Sequence, residues 1–321
     1  MDLKAWLLDT DPSIRWQVLR DVVGAPAAEV AAERARVATE GWGAALLALQ
    51  ADDGRWDGGV YRPGWVDDER PFFDAWTSTH FTLCLLRELG ADPADAPVAG
   101  AIERVRERVR WADFDTPYFD GEVEPCVNGA ALANAAWAGQ ETHGLADRVL
   151  GTQLSDGGWN CWAEHGATVS SFHSTICVVE GLLAWEAAGR ATNPVREARL
   201  RGEAYLLERR LFRRRSDGRV VDPRFTMLSF PTWWYYDILR ALDHLRAASL
   251  FAGEAPDQRC AEAIELLRAK RLDDGRWPHE LTHEGPTFLR VEASEGQPSR
   301  WATLRAMRVL GWWDGTAPTR D

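Results

Sequence analysis

Three times along the chain an apolar helical end runs into the same tetrad, Asp-Gly-x-Trp: LLALQADDGRWDGG from Leu46, VLGTQLSDGGWNCW from Val149 and LLRAKRLDDGRWPHE from Leu266. A fourth copy, LERRLFRRRSDGRVVD from Leu207, keeps Asp-Gly but carries Val220 in place of the indole. Asp-Gly supplies a tight turn, because Gly tolerates the positive φ that other residues avoid, and the following Trp packs back across the helix just ended. A second apolar helix follows each turn: TSTHFTLCLLREL from Thr77, FHSTICVVEGLLAW from Phe172, TWWYYDILRALDHL from Thr232 and SRWATLRAMRVLGWW from Ser299. One more pair, AIERVRERVRW and then PCVNGAALANAAWAG from Pro125, lies between the first and second. A hairpin recurring at roughly fifty-residue spacing points to a repeat architecture, in which each unit buries its apolar face against its neighbours.

The second helix of each pair opens with Ser, Thr or Pro and continues in Ala, Leu, Val and Gly. That chemistry suits an N-cap followed by a helix buried on most of its circumference. The expected fold is therefore all-α, five to six helical hairpins closing into an α/α toroid, with these helices on the inside. Residues 1–321 are read as one domain, with helices over 13–23 and 29–49 capping or completing the ring and the repeats running over about 41–313. The 17 Trp, against 5 Tyr and 11 Phe, are then mostly structural.

A net charge of -12 offers no basic surface for phosphate backbones, so nucleic acid is excluded as a partner. No apolar run approaches the roughly 18 residues of a membrane span, and the N-terminal stretch has no small-residue cleavage site; a cytoplasmic protein is expected. Five cysteines, an odd and scattered set, fit reduced thiols. Cys84, Cys177 and Cys260 fall among apolar helical residues and read as core.

The turns spanning Gln50 to Trp56 and Gln153 to Trp159 resemble the QW-type repeat of squalene and oxidosqualene cyclases, and more loosely the β-subunits of protein prenyltransferases. The resemblance covers about residues 41–313 and implies the toroid. The prenyltransferase β-subunits hold zinc with an Asp-x-Cys at one inner helix and a His in a Tyr/Phe-His-Thr stretch at the next. The similar positions are Glu124-Pro125-Cys126 and Phe172-His173-Ser174. That implies Zn²⁺ on Cys126 and His173, with Cys161 after the intervening turn as a further ligand and Glu124 as fourth ligand or acid/base; thiolates plus an imidazole suit zinc. Glu164 and His165 stand nearby as outer-sphere or solvated groups. The family's diphosphate-binding basic residues are missing: the stretch before Cys126 is acidic, leaving only Arg209, Arg210 or Arg213–Arg215 to reach in. No obligate protein partner is implied.

A rival reading comes from the class II terpene cyclases, whose Asp-x-Asp-Asp motif protonates an alkene. Glu122-Val123-Glu124 sits at a similar place, which makes Glu124, or Glu122, the acid of a metal-free enzyme. A third reading is a non-catalytic toroid that binds an apolar ligand or a partner. Both enzyme readings place a hydrophobic, isoprenoid-like small molecule in a central cavity walled by Trp76, His80, Trp233, Trp234, Tyr235, Tyr236 and Trp301. Asp237 and Arg300 are expected to form an ion pair on its rim, and residues 66–74 to form a lid or a solvated acidic loop. His143, His244, His279 and His283 read as surface or loop residues.

Overall fold

The computed structural model describes residues 2–66, 75–112 and 115–318. Among them lie thirteen α-helices: α1 (Leu3–Leu8), α2 (Pro12–Val18), α3 (Ala27–Ala35), α4 (Gly41–Ala48), α5 (Thr79–Leu89), α6 (Ala96–Arg108), α7 (Pro125–Trp137), α8 (Leu145–Gly151), α9 (Phe172–Trp185), α10 (Asn193–Leu207), α11 (Ile238–Ala252), α12 (Ala261–Ala269) and α13 (Arg300–Trp313). The sheet content described is a two-residue antiparallel ladder, Trp277–Pro278 with Pro298–Ser299.

Helices α5, α7, α9, α11, α13 and α2 pack on one another in that order. Two side chains of α2 close the circle on the end of α5: Trp16 Nε1 donates to Leu89 O at 2.9 Å and Gln17 Nε2 to Glu88 O at 3.2 Å. This is the inner ring of an α/α toroid, with α4, α6, α8, α10 and α12 outside it. Small residues set the closest approach. A Cβ on Gly129 of α7 would meet the Cys177 carbonyl oxygen at 2.5 Å, and one on Gly181 of α9 would meet the Gly129 oxygen at 2.2 Å. The two backbones touch there because neither residue has a side chain.

The recurring turns are built alike. Each indole is fully buried and its Nε1 donates to a carbonyl ten residues back: Trp56 to Leu46 O (2.7 Å), Trp159 to Val149 O (2.8 Å) and Trp277 to Leu267 O (2.7 Å). Each accepting carbonyl lies in the last turn of an outer helix, where a helix leaves its carbonyls unpaired. The Trp backbone N–H in turn donates to an inner-helix threonine, Thr79, Thr175 or Thr303. Gln50 and Gln153 reach sideways, donating to Ala101 O of α6 and Ala198 O of α10, and so tie each hairpin to the next.

Two local expectations change. The segment 29–49 is broken over residues 36–40: α3 ends at Ala35, a 3-10 turn spans Arg36–Ala38, and Glu40 is extended as the N-cap of α4, the outer partner of α5. The N-terminal region completes the ring, with α2 as one of its staves. The fourth inner helix starts at Ile238 rather than Thr232, because Trp233 takes a φ of +50° and Asp237 caps α11 by accepting from Arg240 N at 2.7 Å. Residues 67–74, most of the expected lid, lie outside the described residues. Among the described residues no helix is long and apolar enough to cross a membrane.

Candidate metal centre at the ring mouth

The inner helices α7 and α9 begin side by side, so the residues at their first turns share one rim. Pro125 occupies the first position of α7, and Glu124 is its N-cap residue with no side-chain capping bond. The Glu124 carboxylate is thereby free to turn to Cys126, whose Sγ donates to Glu124 Oε2 at 3.6 Å. The loop before it is pinned from three sides: Asn128 exchanges hydrogen bonds with the Glu122 backbone (2.7 and 2.8 Å), and Arg148 Nη1 donates to Glu122 O at 2.7 Å.

Cys161 arrives from the turn after Trp159. Its N–H donates to Ser174 Oγ at 3.2 Å, and Ser174 Oγ donates back to Cys161 Sγ at 3.3 Å. Cys126 N–H, which has no intrahelical acceptor in the first turn of α7, donates to the same sulfur at 3.4 Å. One donor atom each from Glu124, Cys126 and Cys161 then lie within 4.8 Å of one another. They form one wall of a pocket of about 470 Å³ whose other sides include Trp162, His173 and Trp234. The Trp162 indole is 68% exposed, an apolar surface presented to solvent at the entrance.

Electrostatics in the cluster follow from burial and crowding. The Cys126 thiol is pushed well above its usual range, first by its hydrogen bond with Cys161 and then by desolvation. Burial also raises the Glu124 carboxyl, against hydrogen bonds from both cysteines. Each group would ionise beside another bearing the same sign, in a setting short of water. His173 is different: burial, then Arg240 and Arg224, lower it to about 4, so it is neutral.

His173 lines the pocket without joining the three-atom cluster. Its Nδ1 accepts the Tyr236 N–H at 2.9 Å, so the neutral ring carries its proton on Nε2. A ring nitrogen bearing a proton is a donor, whereas metal ligation needs a lone pair. Glu122 is likewise withdrawn: its Oε2 accepts the N–H groups of Val123 and Glu124, both at 2.6 Å. His165 lines the pocket beside Trp162, at 5.2 Å between rings, and Glu164 is exposed.

The aromatic residues expected to wall one central cavity are dispersed. Trp76 stacks on Trp233 at 5.2 Å and donates its Nε1 to Glu284 O. Tyr235 lies between Trp234 and His283, at 3.8 and 3.9 Å. Tyr236 is buried with its hydroxyl on Leu211 O, and Trp301 stacks on Phe230 at 4.1 Å. Of these, Trp234 reaches the mouth pocket, and Trp301 lines a separate cavity between the inner helices. His80 is a core residue, its Nδ1 3.1 Å from Tyr118 Oη and its pKa lowered to about 3 by burial.

The expected Asp237–Arg300 pair does not form: Asp237 caps α11 and accepts from Ser229 Oγ, while Arg300 donates to Trp6 O and Asp9 O. His244 is buried on Glu203 and His279 is buried beside Thr282, so neither is a surface residue. The basic run does not reach in. Arg209 covers the Tyr205 ring, Arg210 and Arg213 pair with Glu262, and Arg215 pairs with Glu208.

The sequence reading missed Ser174, which holds Cys161, and Trp162. Their signal was positional: Ser174 follows His173 in the first turn of an inner helix, and Trp162 follows Cys161. No family model matches the sequence, and no curated protein matches it. Among solved structures, a protein from Actinoplanes aligns over 95% of this chain and 90% of its own at 18% identity and a TM-score of 0.46. A type II terpene cyclase from Scytonema, in complex with geranylgeranyl dihydroxybenzoate, aligns over 93% of this chain and 85% of its own at 16% identity and a TM-score of 0.42. Likenesses this distant say nothing of the present chain's chemistry.

Proposed function

We propose that this chain is a metal-dependent enzyme in which Glu124, Cys126 and Cys161 hold Zn²⁺ at the ring mouth. Its substrate is a small apolar, isoprenoid-like molecule lying against Trp162 and Trp234. The observation that carries the reading is the convergence of two sulfurs and a carboxylate oxygen within 4.8 Å on one wall of a pocket. Two thiols and a carboxyl are the soft-plus-hard donor set zinc accepts, and three protein ligands would leave a coordination position for water or substrate. A zinc ion there supplies a Lewis acid, able to activate a thiol or water or to polarise a carbonyl.

The chain's own groups do the rest. The Cys126 N–H and the Ser174 hydroxyl orient the Cys161 sulfur, as outer-shell donors do around metal-bound ligands. The hydrogen bond with Cys161, then burial, raises the Cys126 thiol, and burial raises the Glu124 carboxyl, so a cation entering the cluster competes with protons for both. His173, with Nδ1 held by Tyr236, is a neutral donor beside the pocket and orients substrate. The metal-free alternative asks Glu124 to protonate an alkene. A carboxyl whose pKa is raised is a weaker acid than that step needs, and Glu122 is spent on its own loop.

Metal analysis of protein purified without chelator tests the proposal. Stoichiometric zinc is expected, lost in Cys126→Ser and Cys161→Ser and retained in His173→Ala. Native protein that neither contains nor takes up zinc contradicts the reading. Activity that survives chelation and disappears in Glu124→Gln shifts the assignment to the metal-free acid, and a ligand bound without turnover shifts it to a binding protein.

A further inference from the structure

A second cavity, of about 430 Å³, lies on the ring axis between α5, α9, α11 and α13, and is lined by six arginines against three carboxylates. In a chain of net charge -12 this is a concentrated reversal of sign. The carboxylates are already engaged. Glu180 takes Arg240 through two bonds, at 2.9 and 2.6 Å. Asp243 is shared by Arg246 at 2.9 Å, Arg305 at 3.5 Å and Arg308. Asp21, beside the cavity, takes Arg20 at 2.7 Å and Arg308 at 3.5 Å.

Two guanidiniums remain under-compensated. Arg87 Nε is buried with no hydrogen-bond partner among the described residues. Arg305, 8% exposed, has among the described residues one ion pair, at 3.5 Å, to a carboxylate two other arginines also use. The third carboxylate, Glu88, is the one charge shared by Arg87, Arg240 and Arg305, and burial raises its pKa against their pull. An unmatched buried charge is costly, and a guanidinium fork pairs best with a planar or tetrahedral oxyanion.

We propose that the axial cavity binds the oxyanionic group, carboxylate or phosphate, of a small molecule between Arg87 and Arg305. The anion supplies the negative charge that the three carboxylates cannot, and the cavity has room for more than a bare ion. This site is distinct from the ring-mouth cluster and does not depend on a metal there.

Calorimetric titration of the full chain, at constant ionic strength and with a chelator present, uses inorganic phosphate in one arm and succinate in the other. One saturable site for at least one anion is expected, with a matching rise in Tm. Which arm saturates names the group. Arg87→Gln and Arg305→Gln should each weaken Kd by about tenfold or more, the effect of removing one charge-assisted hydrogen bond. Arg210→Gln, on the exposed outer surface, should leave Kd unchanged. Should a glutamine variant fail to fold, Arg87→Lys, which keeps the charge and loses the fork, should still bind but more weakly. No saturable binding of either anion to the native chain overturns the proposal, as does binding equally strong in the folded Arg87 and Arg305 variants.

Discussion

At the scale of single residues the decisive facts are protonation states. His80, His173 and His283 are held neutral by burial, with pKa values of about 3, 4 and 3, while each titrates near 6.5 in an unfolded chain. Below pH 6.5 the unfolded state therefore binds more protons than the folded one. The stabilisation from these three rings is complete above that pH and drains away as the pH falls toward 4 and below. Urea midpoints should fall steeply over this window, each histidine contributing up to about 1.4 kcal/mol per pH unit. His80→Asn keeps an acceptor near Tyr118 and cannot titrate, so its profile should be shallower; an unchanged slope would refute the assignment. The sequence located these histidines but not their surroundings. His80 reads as a mouth residue because a helix start is visible, whereas the Tyr118 hydroxyl that it meets comes from 38 positions away.

At the scale of the hairpin, the indole and its i−10 carbonyl act as the joint between outer helix and turn. Trp159→Phe deletes the N–H and leaves Val149 O without that donor, which should cost about 1–3 kcal/mol. Trp162→Phe, three residues on but 68% exposed, should stay within about 0.5 kcal/mol of native stability. Chemical denaturation of the two variants checks the pair, and equal losses would show that the indole N–H does not matter. This level of structure was the most legible in sequence, because Asp-Gly-x-Trp is a local signal and its bonds span about one hairpin. It failed where a local rule was overridden. The aromatic run 233–236 looks helical, yet Trp233 turns at positive φ and the helix waits for the Asp237 cap.

At the scale of the whole molecule, closing the ring produces both the mouth cluster and the axial cavity. Cys126 and Cys161 are 35 positions apart and meet because α7 and α9 start on one rim. The resemblance to the prenyltransferases pointed to Cys126 and His173 together, whereas the three-atom cluster consists of Glu124, Cys126 and Cys161, with His173 beside it accepting the Tyr236 N–H on Nδ1. The axial arginines were written into the inner helices, as Arg87 in LCLLREL and Arg305 and Arg308 in TLRAMRV. Only the assembled circle turns such isolated charges into a cavity. The most direct test of the central claim is zinc K-edge X-ray absorption on protein loaded with one equivalent of metal. Two sulfur neighbours at about 2.3 Å with lighter oxygen or nitrogen ligands near 2.0–2.2 Å are predicted, and no such sulfur-containing shell in Cys161→Ser, which should not retain the metal. A coordination shell without sulfur in the native protein would contradict the account.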